Sequence, residues 1–289
     1  MQKPVTRLND CQYLLVSQIN YTLTNVADHC EPCSHDAIKR SVGAECVTPR
    51  LVWENVRGPV VPTPCGSVLV DDTVLDQNAS CAIALVRRPY SGNAQAVLKG
   101  IGVVPCVYGH PVRAQFWRLD SRLDDPEGDG QSKRDPVRDR LSNIVSQQHL
   151  PFEAVLMDTW YATRDLLWYM ESLRLFRVAV SPHRTEGVVT NDQTPEATEA
   201  TEATQEACGF RRKSEPLPRE GPQVTGLERC QCRTARLQRT HIGGAFLVWV
   251  RLTALTAQTG RTIYQLKHGG LDDYLIQQLK SPSLKMVLA

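Results

Sequence analysis

SVLVDDTVL, at Ser67–Leu75, is a run of apolar and β-branched residues into which two adjacent carboxylates, Asp71 and Asp72, are inserted. Such a run predicts a buried strand. Burying two unpaired carboxylates would cost several kcal/mol, so the strand must deliver them to an edge or a cleft. For the dipeptide alone, a strand followed by an ordinary acidic turn is the favoured interpretation.

A second apolar run has the same form. AVLMD, at Ala154–Asp158, ends in a single carboxylate. Two hydrophobic strands that carry an Asp to the same end of a sheet are a common way to assemble a carboxylate cluster that binds metal ions. The two runs together therefore favour a shared site over an isolated acidic turn.

The bulk composition restricts the class of protein only loosely. The chain has 289 residues, with 42% hydrophobic residues, 22% charged residues and a net charge of +2, which is ordinary for one large or two small globular domains. No apolar run approaches the roughly 18 residues of a membrane span. The N-terminal residues contain no apolar signal core, so we expect a cytoplasmic protein whose ten cysteines are free thiols.

Residues 67–190 carry strand and helix patterns in an order typical of α/β proteins. The first three strands follow one another through turn-rich segments and predict an antiparallel meander, and a helix then leads to a returning strand. This pattern predicts a ribonuclease-H-like mixed sheet flanked by helices. The predicted strands are Ser67–Leu75, Gly100–Tyr108, Gln115–Leu123, Ala154–Asp158, Phe176–Val180 and Gly187–Thr190, and the predicted helices are Lys133–Gln148 and Arg164–Leu173.

The flanking residues divide the chain into further segments. Residues 1–62 predict a helical N-terminal segment and residues 63–193 the first part of the core. Residues 194–207 repeat Thr-Glu-Ala and contain no large apolar side chain, which predicts a flexible insert. Residues 208–289 predict a basic helical segment that completes the core. The helices expected outside the core lie at Leu8–Cys30, His35–Val42, Thr48–Val56, Thr234–Thr256 and Ile263–Leu279.

Two further patterns have weaker interpretations. Cys30 and Cys33 have the spacing of a zinc knuckle, but the second cysteine pair, Cys230 and Cys232, has the wrong spacing and lies far along the chain, so we do not predict zinc. The excess of arginines after Cys208 suits the neutralisation of nucleic-acid phosphates. A solvated helix face with internal ion pairs explains the arginines equally well.

Three motifs together resemble a known family. These are Asp-x-Thr at Asp71–Thr73, MDTWYAT at Met157–Thr163 and GLERCQCRTARLQRTHI at Gly226–Ile242. They are similar to bacterial insertion-sequence transposases of the DDE class, in particular to cyanobacterial members of the group whose third acid lies in a Tyr-x2-Arg-x3-Glu-x6-Lys signature. The resemblance extends over most of the chain.

The resemblance implies a catalytic site. Its three acids would be Asp71, Asp158 and Glu215, with Asp72 as the alternative first acid, and they would hold two Mg²⁺ or Mn²⁺ ions. The substrate would be double-stranded DNA at the element ends and at the target, bound by a homodimer, with nucleoid association and no membrane. Arginines expected to contact DNA are Arg211, Arg219, Arg229, Arg233 and Arg236.

The chain departs from the family signature where the third acid is expected. Cys208 stands where the signature has Tyr and Pro222 where it has Lys, and Pro218 and Pro222 interrupt the helix that would carry Glu215. Each interior proline costs a helix about 3 kcal/mol. Leu173 is followed almost directly by LFRVAV, where the family has a longer insertion, so we interpret the chain as an internally deleted, degenerate copy.

Three functions therefore remain open: a transposase that cleaves and transfers DNA strands, a catalytically dead DNA-binding remnant, and a metal-dependent nuclease with another DNA substrate. Trp160 and Tyr161, next to Asp158, either stack on an unpaired base or are ordinary core aromatics.

Overall fold

The structure, a computed structural model, describes residues 6–18, 20–30, 34–77, 83–91, 96–125, 128, 130, 135–173, 177–181, 209–211, 224–230, 232–281 and 283. It divides into two compact units. Unit 1 comprises Met1–Cys46, Gly221–Cys232 and Arg236–Ala289, and unit 2 comprises Val47–Glu220 and Arg233–Ala235. The predicted mixed α/β class is confirmed.

Unit 2 is built on a six-stranded mixed sheet. The strands are β1 Ser67–Val70, β2 Thr73–Asp76, β3 Tyr90–Ser91, β4 Ala96–Val97, β5 Gly100–His110, β6 Gln115–Leu123, β7 Ala154–Asp158 and β8 Arg177–Ser181, with β3 and β4 forming a separate hairpin. Strand β5 pairs antiparallel with β1, β2 and β6, whereas β1–β7 and β7–β8 are parallel pairs. The predicted antiparallel meander of β1, β5 and β6 is thus present, and β7 has the predicted bounds.

The single strand predicted at Ser67–Leu75 is interrupted at Asp71 and Asp72. The two halves keep one register on β5, because Val70 lies opposite Cys106 and Thr73 lies opposite Val103. Asp71 therefore falls opposite Pro105, which has no N–H to donate.

The direction of the neighbouring bonds shows why this proline matters. Lys99 O accepts from Gln77 N on the β2 side, whereas Gly102 O accepts from Asp124 N on the opposite side. Backbone groups of successive strand residues alternate in direction, so residue 105, like residue 99, faces the side of β1 and β2. The hydrogen-bond ladder between β5 and β1 therefore has no N–H donor at position 105, where Asp71 leaves β1.

The helices begin at hydroxyl caps that the sequence supplies. Thr22, Ser34, Thr48, Thr163 and Thr262 each accept a backbone N–H of the first turn. The helices are α1 Arg7–Val16, α2 Leu23–Asp28, α3 His35–Ala44, α4 Pro49–Val56, α5 Asp135–Asn143, α6 Arg164–Ser172, α7 Ala235–Thr259 and α8 Ile263–Lys280. The single helix expected at Leu8–Cys30 is in fact α1 and α2, because the chain leaves helical geometry at Ser17 and starts again at the Thr22 cap.

Unit 1 packs its helices around apolar side chains from distant parts of the chain. Val26, Ile38, Val42 and Leu237 form a buried cluster. Lys267 of α8 is 3% exposed, and its ammonium donates to the carbonyls of Leu14 (2.5 Å) and Leu15 (2.9 Å) near the end of α1. A cation at this position satisfies carbonyls that a helix end leaves without intrahelical donors.

The core of unit 2 holds the entrances of β1 and β7 together. The buried hydroxyl of Tyr108 accepts the Thr63 N–H (2.9 Å) and lies within bonding distance of the carbonyls of Thr63 and Pro151. Glu153 N also donates to Gly66 O (2.8 Å). The loops that lead into the two strands with aspartates are thereby fixed to each other.

Some predicted elements fall outside the described residues, namely the strand at Gly187–Thr190 and the insert at residues 194–207. The division into segments 1–62, 63–193, 194–207 and 208–289 stays a prediction. Among the helices described, none is both long and apolar enough to cross a membrane.

Candidate functional site

Two of the predicted acids lie side by side at one edge of the sheet. Strands β1 and β7 are parallel neighbours in which Val70 lies opposite Met157. The residues that follow these two along the chain are Asp71 and Asp158. Asp158 is 6% exposed, whereas the side chain of Asp71 is 44% exposed. The carboxyl ends of the two strands therefore deliver one buried and one accessible carboxylate to the same place.

The aspartate doublet is divided between the two faces of the sheet. Leu69 and Leu156 belong to one buried cluster, and alternation along a strand places Asp71 and Asp158, two residues further on, on that same face. Continued alternation would direct Asp72, one residue on, to the opposite face. Asp71 is consequently the member of the doublet that lies with Asp158.

Residues 209–211, which are helical, bring an arginine to this face. Phe210 belongs to the same cluster as Leu69 and stacks on Phe116, with ring centroids 4.8 Å apart and an interplanar angle of 23°. Gly109 makes room for the Phe210 ring, since a Cβ at position 109 would lie 2.5 Å from it. Arg211 follows Phe210, and its Nη2 lies 3.5 Å from Asp71 Oδ1.

The electrostatics of Asp71 reflect this crowding of carboxylates. Although its side chain is 44% exposed, partial desolvation by the surrounding protein raises the pKa of Asp71 above its usual value, and the negative charges of Asp72 and Asp158 raise it further. Arg211 and the Asp72 N–H, which donates to Asp71 Oδ1 at 2.9 Å, act in the opposite direction on this pKa. An additional cation at this edge would relieve the repulsion between the carboxylates.

The two aromatics after Asp158 have different environments. Tyr161 is fully buried, so it is a core residue and not a base-stacking surface, whereas Trp160 is 48% exposed and meets Tyr161 edge-on at 5.1 Å. Burial raises the pKa of Tyr161, and the nearby charges of Asp72 and Asp71 add to that shift. The charges of both members of the doublet therefore act on the buried Tyr161 hydroxyl.

A buried ion pair on β6 is a feature that sequence reasoning missed. Asp120 accepts from Arg140 Nε of α5 (3.2 Å) and from Arg122 Nε (3.3 Å), and Arg140 is 2% exposed. Asp120 and Arg140 both lie in segments with several other charged residues, QFWRLDSRL and DPVRDRLSN, so the sequence does not single them out. The charge of Arg140 reaches Tyr161 and lowers the pKa of its hydroxyl, against the dominant effect of burial.

The remaining predicted site residues are distributed as follows. Glu215 and Arg219 lie outside the described residues. Arg229 and Arg236 are exposed in unit 1, where Arg236 Nη2 donates to Ala44 O at 3.1 Å, and Arg233 is exposed in unit 2. Exposure leaves the three arginines accessible to a polyanion, and nothing in their contacts tests that role.

No metal site is complete within the part of the chain that the structure describes. Its His, Cys, Asp and Glu side chains form no group of three or more that could hold an ion. Asp71 and Asp158 supply hard oxygen donors of the kind that Mg²⁺ and Mn²⁺ take. Cys30 and Cys232 both pack against the apolar cluster of unit 1, and Cys33 lies outside the described residues.

Comparisons with known proteins give little. No protein-family model matches the chain, and no curated protein matches it. Among solved structures it is similar to a piggyBac transposase in a synaptic complex with hairpin DNA, determined by cryo-electron microscopy. The TM-score is 0.42 and the identity 9%, over 96% of this chain and 73% of that chain. A similarity of this size supports no conclusion about fold or function.

Proposed function

We propose that this chain is a transposase-type enzyme that cleaves and transfers DNA strands with the help of divalent metal ions. The observation that carries the proposal is the adjacency of Asp71 and Asp158 at the carboxyl ends of parallel neighbouring strands, with Arg211 against them. Two acids and a guanidinium at the carboxyl ends of two central strands, with Asp71 accessible, are suited to a metal ion and a phosphodiester.

The sheet supports a ribonuclease-H-like fold for the core. Strands β6, β5 and β1 form an antiparallel meander, and β7 and β8 continue the sheet as parallel strands after an intervening helix. This is the order that the sequence pattern predicts for that fold. It places both aspartates at the centre of the sheet and not at its outer strands.

The proposed roles combine the positions of Asp71, Asp158 and Arg211 with the family resemblance. Asp71 and Asp158 would hold the metal ions, and Glu215 is proposed as the third acid. Bound there, two Mg²⁺ or Mn²⁺ ions would activate a water molecule or a DNA 3′-hydroxyl and stabilise the leaving oxygen. Arg211 would contact the phosphodiester next to the acids. Further phosphate contacts are proposed for Arg219, Arg229, Arg233 and Arg236, on a homodimer bound to double-stranded DNA.

A second candidate is a DNA-binding remnant that no longer cleaves DNA. The sequence around Glu215 favours it, because Pro218 and Pro222 oppose a continuous helix and the Tyr and Lys of the family signature are replaced. The remnant would retain the exposed arginines, and therefore salt-dependent binding to DNA, without turnover.

The experiment that separates these functions uses the full chain and a supercoiled plasmid that carries the DNA flanking its coding sequence, with Mg²⁺ or Mn²⁺. The matched variants are Asp158→Asn and Asp165→Asn, since Asp165 is an exposed carboxylate on α6 close by in sequence. Nicking that is lost only in Asp158→Asn supports the enzyme. Binding without nicking supports the remnant, and cleavage of a plasmid that lacks the flanks supports a general nuclease.

A further inference from the structure

Arg211 and a metal ion would compete for the same carboxylate. The Nη2 of Arg211 lies 3.5 Å from Asp71 Oδ1, the oxygen that also accepts the Asp72 N–H. Mg²⁺ binds carboxylate oxygens at about 2.0–2.1 Å and requires near-octahedral space around it. A guanidinium that already neutralises Asp71 opposes a divalent cation at that oxygen, both by its charge and by its volume.

The backbone at Arg211 is held by the packing of its neighbour, Phe210. Phe210 is 6% exposed and is fixed by its stack on Phe116 in the apolar cluster of unit 2. The guanidinium, at the end of a long flexible side chain that is 20% exposed, can therefore change partner while the backbone stays in place. A DNA phosphate is a strong alternative partner, because guanidinium binds phosphate oxygens in a bidentate geometry.

We propose that the Arg211 guanidinium pairs with the Asp71 carboxylate in the DNA-free protein and moves to a DNA phosphate when DNA binds. DNA thereby raises the affinity of the site for divalent cations. This inference rests on the proposed function and specifies its regulation. Coupling is reciprocal, so the divalent cation raises the affinity for DNA by the same factor. A protein of this kind binds its metal ions where a phosphodiester is present to be cut.

The test measures binding of Mn²⁺ to the full chain by electron paramagnetic resonance, without DNA and with a duplex of the flanking sequence. The variants are Arg211→Gln, which removes the charge, and Arg211→Lys, which keeps it. Arg50→Gln is the control, because Arg50 is an exposed arginine whose partner is Glu54 on the same helix. Asp71→Asn reports whether Mn²⁺ binds at the proposed site.

The expected result is that Arg211→Gln binds Mn²⁺ about fivefold or more tightly than wild type without DNA, a factor typical of coupled sites. Arg211→Lys and Arg50→Gln should remain close to wild type, and added duplex should strengthen Mn²⁺ binding less in Arg211→Gln than in wild type. Equal or weaker Mn²⁺ binding by Arg211→Gln overturns the coupling and leaves the metal site standing. Absence of Mn²⁺ binding in every protein, with and without DNA, overturns the metal site and the coupling together.

Discussion

Gly109 lies directly beneath the ring of Phe210, so closely that a Cβ at position 109 would be 2.5 Å from Cε1 and 2.7 Å from Cζ of that ring. The ring cannot retreat freely, because it is stacked on Phe116 at 4.8 Å. One glycine on β5 thereby permits the contact that carries Arg211 to Asp71.

Gly109→Ala should destabilise unit 2 by about 1–3 kcal/mol, the usual cost of overpacking a core, although alanine is otherwise the better residue in a strand. Urea unfolding measures the change. Gly58→Ala is the matched control, since a Cβ at position 58 meets nothing within 4 Å. Equal stability of the two variants would show that Phe210 is not packed on β5 as described.

Pro105→Val should restore a hydrogen bond between β5 and the break that separates β1 from β2. The new amide at position 105 faces Asp71 and can donate to its carbonyl, so we expect slow hydrogen exchange at residue 105. The net change in stability should be within about 1 kcal/mol, because one hydrogen bond is gained while the restriction of the unfolded chain by proline is lost. Exchange of that amide at the rate of an exposed loop would contradict the register.

Asp120→Asn should cost about 3 kcal/mol or more, because it leaves the buried guanidinium of Arg140 without its charged partner. The control is Glu54→Gln, which breaks the exposed Arg50–Glu54 pair and should cost no more than about 1 kcal/mol. Thermal and urea unfolding of the two variants give the comparison. Similar losses in both would mean that the Asp120–Arg140 pair is solvated.

The sequence predicted those features that depend on neighbouring residues. Ala154–Asp158 is a strand with the predicted bounds, and the helices expected at His35–Val42 and Ile263–Leu279 begin at the predicted residues. The break between β1 and β2 was missed, because its cause is a proline on another strand. The approach of Arg211 to Asp71 was missed for the same reason, since it depends on packing between Phe210, Phe116 and Gly109.

Lys267 gives a prediction for the pH dependence of stability. Burial lowers its pKa to about 8, below the 10.5 of an exposed lysine. Between these two values the unfolded chain binds more protons than the folded one, so stability should rise as pH increases from about 8 to about 10.5. Below about 8 the cost of burying the charged Lys267 is constant, so this group adds no pH dependence there. Urea unfolding across this pH range should show the rise in wild type and not in Lys267→Met.

Lys280→Met, which changes an exposed lysine of the same helix, is the control and should keep the rise. A rise of equal size in Lys267→Met would assign the pH dependence to another group.

At neutral pH, Lys267→Met also leaves the carbonyls of Leu14 and Leu15 without the ammonium donor, which tests the contact between α8 and α1 directly.

The bond from Lys267 to Leu14 spans 253 residues of chain. A ribosome therefore releases α1 long before it makes the helix that covers the end of α1. Throughout that interval the nascent N-terminal residues lack their final partner, while the strands of unit 2 are already complete enough to pair. Synthesis and folding of unit 1 are thus separated in time, and a stop codon anywhere ahead of α8 leaves α1 without its cap.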